Sequence, residues 1–135
     1  MLSVDTMLHL DLQYLFAWWT NAALILKPGG WLVCNVGDAT TRAGFAKLVS
    51  DIRTYIPIQG QACTRFEWQS PAMVRALLEA LGFEIVDLSN WNPATGGEDG
   101  RDLWVFARLA RPKAALPFRP HISIGLPIPT LSAAE

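Results

Sequence analysis

The chain has 135 residues, of which 51% are hydrophobic, and its formal net charge is -1. This length allows one compact domain that buries roughly two-thirds of the surface that the unfolded chain exposes. A nearly neutral chain has no overall field that attracts nucleic acid or an anionic membrane, so we expect neither as a partner.

The two cysteines indicate a reducing compartment. Cys34 falls in a predicted strand and Cys63 follows much later, without the paired spacing of a disulfide framework or a zinc site. We therefore expect no metal. No apolar run approaches the roughly 20 residues that span a bilayer, and no signal peptide is evident at the N-terminus. The sequence predicts a cytoplasmic protein.

A helix, a tight turn and a strand make up the first third of the chain. Apolar residues recur at steps of three and four from Asp11 to Leu26, which predicts a core-facing helix. Pro28 cannot continue it, and the two following glycines allow a turn into a short apolar strand, Trp31 to Val36. Leu2-Ser3-Val4 is interpreted as the end of a preceding strand, joined to Trp31–Val36 by a right-handed crossover.

The middle of the chain predicts two more helices. A stripe of apolar residues indicates a helix from about Thr41 to Ile56, ended by Pro57. Ser70-Pro71 is a strong helix start, because the hydroxyl caps free amide groups and proline has no N–H to leave unpaired. Gly82 suits the left-handed residue that closes this helix. Between the two helices, the run from Arg65 to Trp68 indicates a short strand or an ordered loop.

Two strands and a proline-rich tail complete the chain. The strands are predicted at Phe83–Trp91 and Leu103–Leu109, with an exposed hairpin loop rich in glycine between them. From Arg111 onward prolines are frequent, so we expect this segment to be extended or disordered. The predicted organisation is a folded unit over residues 1–110 and a tail over residues 111–135.

The order of these elements resembles the second half of class I S-adenosylmethionine-dependent methyltransferases. The run Ile25-Leu26-Lys27-Pro28-Gly29-Gly30-Trp31-Leu32-Val33-Cys34-Asn35-Val36 matches the family's helix-turn-strand unit, and Ser70 to Phe83 is similar to its penultimate helix. Glu84–Trp91 and Asp102–Leu109 match its closing antiparallel hairpin. The resemblance implies an α/β fold: a partial Rossmann-like sheet with helices on both faces and a C-terminal antiparallel hairpin.

The resemblance also implies the cofactor S-adenosyl-L-methionine and a small-molecule methyl acceptor. In the family, a glycine-rich loop after the first strand binds the cofactor, and an acidic residue after the second strand holds its ribose. Neither has a counterpart in this sequence, since Gly96-Gly97 falls in the predicted hairpin. We therefore expect a fragment of the fold that binds the cofactor weakly or not at all by itself.

Site residues are expected beyond the carboxyl ends of the first two predicted strands, where ligands of open α/β sheets bind. The resemblance places Ser3, Val4 and Asp5 beside the cofactor, and His9 is the candidate general base, because imidazole exchanges protons near neutral pH. Packing of His9 and capping by Asp5 remain the structural alternatives.

Two polar residues near the end of the second strand complete the expected site. Asn35 and Asp38 are the candidate substrate contacts. Capping of the following helix is the alternative for Asp38, and it is the interpretation that we favour for this residue.

A second function remains open, namely a non-catalytic interaction module derived from the methyltransferase fold. In both cases Leu2-Ser3-Val4 would be an exposed sheet edge, a template for strand addition. We therefore expect association, either into a homodimer or with a complementary chain that carries the cofactor-binding half.

Overall fold

The computed structural model describes residues 1–55, 66–92 and 94–110. Its elements follow the chain in this order: β1 Leu2–Ser3, a 3-10 helix Met7–His9, α1 Leu12–Ile25, β2 Trp31–Asp38, α2 Arg42–Tyr55, β3 Trp68–Gln69, α3 Pro71–Ala80, β4 Phe83–Ser89 and β5 Asp102–Leu109. The predictions for Pro57, for Cys63 and for the tail over residues 111–135 concern residues outside the described ranges. The helices and strands otherwise confirm the predicted order.

The five strands form one mixed sheet with β2 at its centre. On one side, β1 pairs in parallel with Val33 and Cys34, and β3 pairs in parallel with Gly37 and Asp38. On the other side, β5 runs antiparallel to β2 and separates it from β4. The mixed α/β class and the antiparallel β4–β5 hairpin are therefore as predicted.

Local signals in the sequence set the ends of α1 and α3. The carboxylate of Asp11 accepts a hydrogen bond from the Tyr14 amide at 3.0 Å, and the Ser70 hydroxyl accepts one from the Met73 amide at 3.3 Å. Each bond satisfies one of the free N–H groups of a first helical turn. Gly82 ends α3 with φ 88°, the left-handed region that glycine tolerates best.

The Pro-Gly-Gly turn after α1 is tied to the end of the sheet. Gly29 has φ 80°, and its amide donates to the carbonyl oxygen of Leu109 at 2.7 Å. The Leu109 amide donates in return to the carbonyl oxygen of Gly30 at 2.9 Å. This turn therefore fixes where β2 begins relative to β5, and it lies at the sheet edge opposite to the carboxyl end of β2.

The main core lies between α1, α3 and one face of the sheet. Its buried members from the strands alternate along the chain, as expected for one face of a pleated sheet. They are Leu32, Cys34, Val36, Phe83, Leu103, Val105, Ala107 and Leu109, and they pack with Leu15, Trp19, Ala22, Ala23, Val74, Leu78 and Leu81 from the helices.

The opposite face of the sheet carries an apolar row that is only partly covered. Leu2 pairs with Val33, and Val33 pairs with Phe106, so the three side chains lie side by side across three strands. Leu2 is 70% exposed, whereas Val33 and Phe106 are half-buried. We call Leu2, Val33 and Phe106 the open-face row.

The predicted apolar stripe of α2 includes Phe45 and Ile52, and the structure differs at both positions. Phe45 and Ile52 are exposed, whereas Gly44 and Asp51 are buried. The buried Gly44 lies against the backbone of Asp38, so close backbone approach places the start of α2. Among the described residues, no helix is long and apolar enough to cross a membrane.

Candidate functional site

Polar side chains from several elements meet at one edge of the sheet, the carboxyl edge. Asp5 follows β1, Asp38 ends β2 and Asn90 follows β4, and these three strands run in the same direction. Because β5 runs the other way, its first residue Asp102 lies at this edge too, opposite Gly37. The sequence predicted a site at this edge. Asp5, Asp38, Asn90 and Asp102 of the described residues lie there.

Asp5 and Asn35 form a reciprocal pair at this edge. The Asp5 amide donates to Asn35 Oδ1 at 2.8 Å, and Asn35 Nδ2 donates to Asp5 Oδ1 at 3.0 Å. Asn35 is completely buried, so both bonds satisfy polar atoms that would otherwise be costly to bury. Asp5 itself is exposed and has φ 58°, a left-handed conformation that costs a residue with a Cβ about 1 kcal/mol.

Asp38 is buried and ties three segments together. Its Oδ1 accepts hydrogen bonds from the Thr40 amide at 2.7 Å and the Thr40 hydroxyl at 2.6 Å, and its Oδ2 accepts one from Asn90 Nδ2 at 3.1 Å. The favoured interpretation of Asp38 as the cap of α2 is wrong. Thr41 holds that position, because its hydroxyl accepts from the Gly44 amide at 3.0 Å.

The first turn of α2 approaches the end of β2 very closely. A Cβ on Gly44 would lie 1.6 Å from the carbonyl oxygen of Asp38, which no side chain permits. Thr41 also donates its hydroxyl hydrogen to the carbonyl oxygen of Gly100 at 2.9 Å. The start of α2 is thus fixed both to β2 and to the chain that enters β5.

An aromatic cluster lies beside these residues. The Phe66 ring has its centroid 5.1 Å from that of His9 and 5.7 Å from that of Trp68. The Phe66 ring also lies 4.7 Å from the Arg101 guanidinium and 5.1 Å from the Lys47 ammonium, distances that permit cation–π attraction. His9 is exposed and its ring contacts Phe66. The structure therefore shows the packing role that was the alternative for this residue. Its role as a general base stays a prediction.

Both cations of the cluster are engaged by carboxylates. Arg101 donates to Asp102 through Nε at 2.6 Å and through a terminal nitrogen at 3.0 Å. This contact with Asp102 raises the pKa of Arg101, and the charges of Asp5 and Asp51 add to the effect. Lys47 pairs with Asp51 one turn further along α2. At the other end of β5, Arg108 pairs with Glu84.

Cys34 lies away from the polar network, within the main core. Burial raises the pKa of its thiol to about 12, an effect that the nearby Trp19 indole reduces. The indole N–H has no regular hydrogen-bond partner in the described part of the chain, so its interaction with the sulfur is weak. Within the described ranges, no group of three or more His, Cys, Asp or Glu residues could hold a metal ion.

The predicted site residues differ in their exposure. Asp5 and His9 are exposed at the carboxyl edge, whereas Asn35 and Asp38 are buried with their side-chain groups bonded to protein atoms. Ser3 and Val4 lead into the edge from β1. Substrate or cofactor contact by any of these residues stays a prediction.

Sequence reasoning did not single out Asn90, Phe66 or Thr41. Nothing local marks Asn90, whose partner Asp38 lies 52 residues away. Phe66 belongs to the run from Arg65 to Trp68, which was predicted to be either a short strand or an ordered loop. Thr41 could have been found, because threonine is a preferred residue directly before the first helical position, which here is Arg42.

Two solved structures have folds similar to that of this chain, and one of them is an enzyme. The chain is similar to a SAM-dependent methyltransferase of Thermotoga maritima, described as a possible histamine N-methyltransferase, with 18% identity, 80% of this chain covered and a TM-score of 0.56. It is also similar to a possible exported protein of Bordetella parapertussis, with 17% identity, 82% of this chain covered and a TM-score of 0.53. This chain has a methyltransferase-like fold.

The similarity covers only part of those two proteins. The chain spans 54% of the length of the Thermotoga maritima methyltransferase and 38% of the Bordetella parapertussis protein. The sequence matches no family model and no curated protein. The comparisons therefore describe the fold alone.

Proposed function

We propose that this chain provides the acceptor-side half of a class I S-adenosylmethionine-dependent methyltransferase that acts on a small molecule. The observation that carries the proposal is the Asp5–Asn35 pair, which presents a carboxylate at the carboxyl edge of a methyltransferase-like sheet. A residue in a left-handed conformation with an exposed carboxylate at a ligand-binding edge is typical of functional sites.

The described residues suit the hydroxyl and amino groups of the cofactor but not its carboxylate. S-adenosyl-L-methionine supplies an electrophilic methyl group, and its own amino-acid carboxylate needs N–H donors or positive charge. The exposed polar group of the Asp5–Asn35 pair is a carboxylate, which suits a cofactor hydroxyl or amino group. The Gly44 amide at the start of α2 donates to the Thr41 hydroxyl, so this helix start does not offer that amide to an anion. We therefore propose weak cofactor binding by this chain alone.

The acceptor is a small molecule that carries an N–H or O–H group. Asp5 and His9 are the exposed candidates for contact, with His9 as the proton acceptor and with Ser3 and Val4 lining the approach. The histamine named for the Thermotoga maritima protein is an example of such an acceptor, since it offers both an amine and an imidazole. Phe66 and Trp68 supply aromatic surface next to His9.

We further propose that the open-face row contacts a cofactor-binding half of the fold or a second copy of the chain. Leu2 is exposed on β1 and Val4 is exposed directly after it, and the partner of β1 among the described strands is β2 alone. An exposed apolar strand edge next to a partly covered apolar face favours strand addition and burial. Neither nucleic acid nor a membrane is proposed as a partner.

A methyl-transfer assay tests the proposed activity. The reading frame upstream of Met1 would be expressed together with this chain, and transfer of a radiolabelled methyl group to small amines and hydroxyl compounds would be measured. We expect His9→Ala to lower turnover roughly 100-fold, the usual contribution of a general base, with little change in melting temperature. His121→Ala, at the chain's other histidine, is the matched control.

Asp5 is tested in the same assay. Asp5→Ala should lower turnover more than stability, and Asp87→Ala, which removes an exposed carboxylate from β4, should leave turnover unchanged. Unchanged turnover with a lower melting temperature in Asp5→Ala or His9→Ala would assign that residue a structural role instead.

A non-catalytic interaction module remains the second candidate. The observation that favours it is the 70% exposure of Leu2 on an edge strand. An extended protein that associates through this edge but transfers no methyl group would support the module and contradict the enzyme.

A further inference from the structure

Asn35 uses its whole side chain on a single exposed residue. It lies within β2, is completely buried, and makes both of its side-chain hydrogen bonds to Asp5. A leucine would fill a similar volume at such a position without any polar group to satisfy. The amide therefore has a role beyond filling the core.

One carboxylate oxygen of Asp5 is hydrogen-bonded to Asn35, and the other makes no hydrogen bond to the described residues. Oδ1 accepts from Asn35 at 3.0 Å, whereas Oδ2 makes no hydrogen bond within the described part of the chain. Asp5 is also the one residue other than glycine in the described ranges that has a positive φ. The two bonds from Asn35 hold the backbone and the carboxylate at once, so they fix the direction of Oδ2.

We infer that Asn35 is a positioning residue that holds Asp5 in its left-handed conformation so that Oδ2 binds a protonated amine. A carboxylate oxygen accepts hydrogen bonds and does not donate them, so its ligand must carry N–H or O–H groups. A protonated amine adds charge attraction and makes the stronger bond of the two. That this amine is the methyl acceptor rests on the proposed function, whereas the positioning of Asp5 by Asn35 does not.

The test uses the 15N-labelled 135-residue chain and two readouts, amide hydrogen exchange and titration with benzylamine. In Asn35→Leu, the Asp5 amide loses its acceptor, so we expect its exchange to accelerate about tenfold, the equivalent of one hydrogen bond, while Cys34 and Val36 stay protected. We expect benzylamine to shift the Asp5 amide resonance in the parent chain and to bind Asn35→Leu at least about fivefold more weakly, since the carboxylate is no longer held.

Two variants of Asp5 separate positioning from folding. Asp5→Asn keeps the side-chain shape and the bond from Asn35 but removes the charge, so it should retain slow amide exchange at position 5 and lose benzylamine binding. Asp5→Gly removes the backbone strain together with the carboxylate, so it should fold stably and also fail to bind. If Asn35→Leu does not fold, Asn35→Ser replaces it in both readouts.

Each of the following results would overturn the inference. They are unchanged exchange of the Asp5 amide in both Asn35 variants, equal benzylamine affinity in those variants and the parent chain, and benzylamine binding by Asp5→Asn at parental affinity. Benzoate, which has no N–H group and a negative charge, should not shift the Asp5 resonance, and equal binding of benzoate would also contradict the inference. Absence of methyl transfer in the extended protein, with the Asn35 effects intact, would contradict the proposed function and leave the positioning role standing.

Discussion

Asp38 and Asn90 are joined by a 3.1 Å hydrogen bond although 52 residues separate them. Asp38 ends β2 and Asn90 follows β4, and β5 lies between these two strands. The bond therefore crosses the start of β5 and closes the carboxyl edge of the hairpin side of the sheet. It explains why a buried carboxylate stands at this position.

Replacing Asp38 should destabilise the fold strongly. Asp38→Ala leaves the Thr40 amide, the Thr40 hydroxyl and the Asn90 amide group without their common acceptor, so we expect the free energy of unfolding to fall by about 2–4 kcal/mol. Urea denaturation measures it. Asp87→Ala, at an exposed carboxylate on β4, should change stability by less than about 0.5 kcal/mol, and a similar loss in both variants would show that the Asp38 network contributes little.

A single methyl group at Gly44 should displace α2. The Cβ of Gly44→Ala would lie 1.6 Å from the carbonyl oxygen of Asp38, so the helix must move or the end of β2 must distort. We expect a loss of about 3 kcal/mol or more in the free energy of unfolding. Gly97→Ala is the control, because the nearest atoms lie 3.5 and 3.7 Å from its new Cβ. If the Gly44 variant were as stable as the parent chain, the close approach would be refuted.

The thiol of Cys34 should be inert in the folded protein. Its pKa is raised to about 12 by burial, so at pH 8 the reactive thiolate is nearly absent. In Cys63→Ser, where Cys34 is the remaining cysteine, iodoacetamide should label the chain only after urea is added. Because the folded thiol holds its proton more tightly than the unfolded one, its contribution to stability is complete below about pH 9 and is lost as the pH rises toward 12. Rapid labelling of the folded variant at pH 8 would contradict this burial.

The local sequence determined the helix ends, and this is why they were predicted well. Ser70-Pro71 and Gly82 act on their own neighbours, so their role can be deduced from a few residues. The bond from Asn90 to Asp38 could not be deduced, since its donor is 52 residues away in the chain. The same holds for the aromatic cluster around Phe66, whose members belong to four separate segments.

The carboxyl edge itself was predicted from sequence, because the parallel order of β1 and β2 follows from the crossover through α1. Which side chains are exposed there was not. Asn35 and Asp38 belong to the strand that runs through the middle of the sheet, so tertiary packing buries them, whereas Asp5 lies beyond the end of a two-residue strand at its edge.

The open-face row should drive association. We expect the chain to be dimeric at micromolar concentration in light scattering, and Leu2→Lys should shift it toward the monomer, because a charge on the edge strand opposes pairing. Met73→Lys, at a 41% exposed position on α3, is the matched control. A well-folded parent chain that remains monomeric would rule out pairing through this edge.

The most direct test of the account is a titration of the 15N-labelled chain with S-adenosylhomocysteine, followed by amide chemical shifts. We predict weak binding, with a dissociation constant on the order of 1 mM, and resonance shifts confined to Val4 to His9 and Gly37 to Ala39 at the carboxyl edge. Micromolar affinity would show that a complete cofactor site exists elsewhere in this chain. Shifts confined to the turn at Lys27 to Gly30, at the opposite edge of the sheet, would contradict the proposed location of the site.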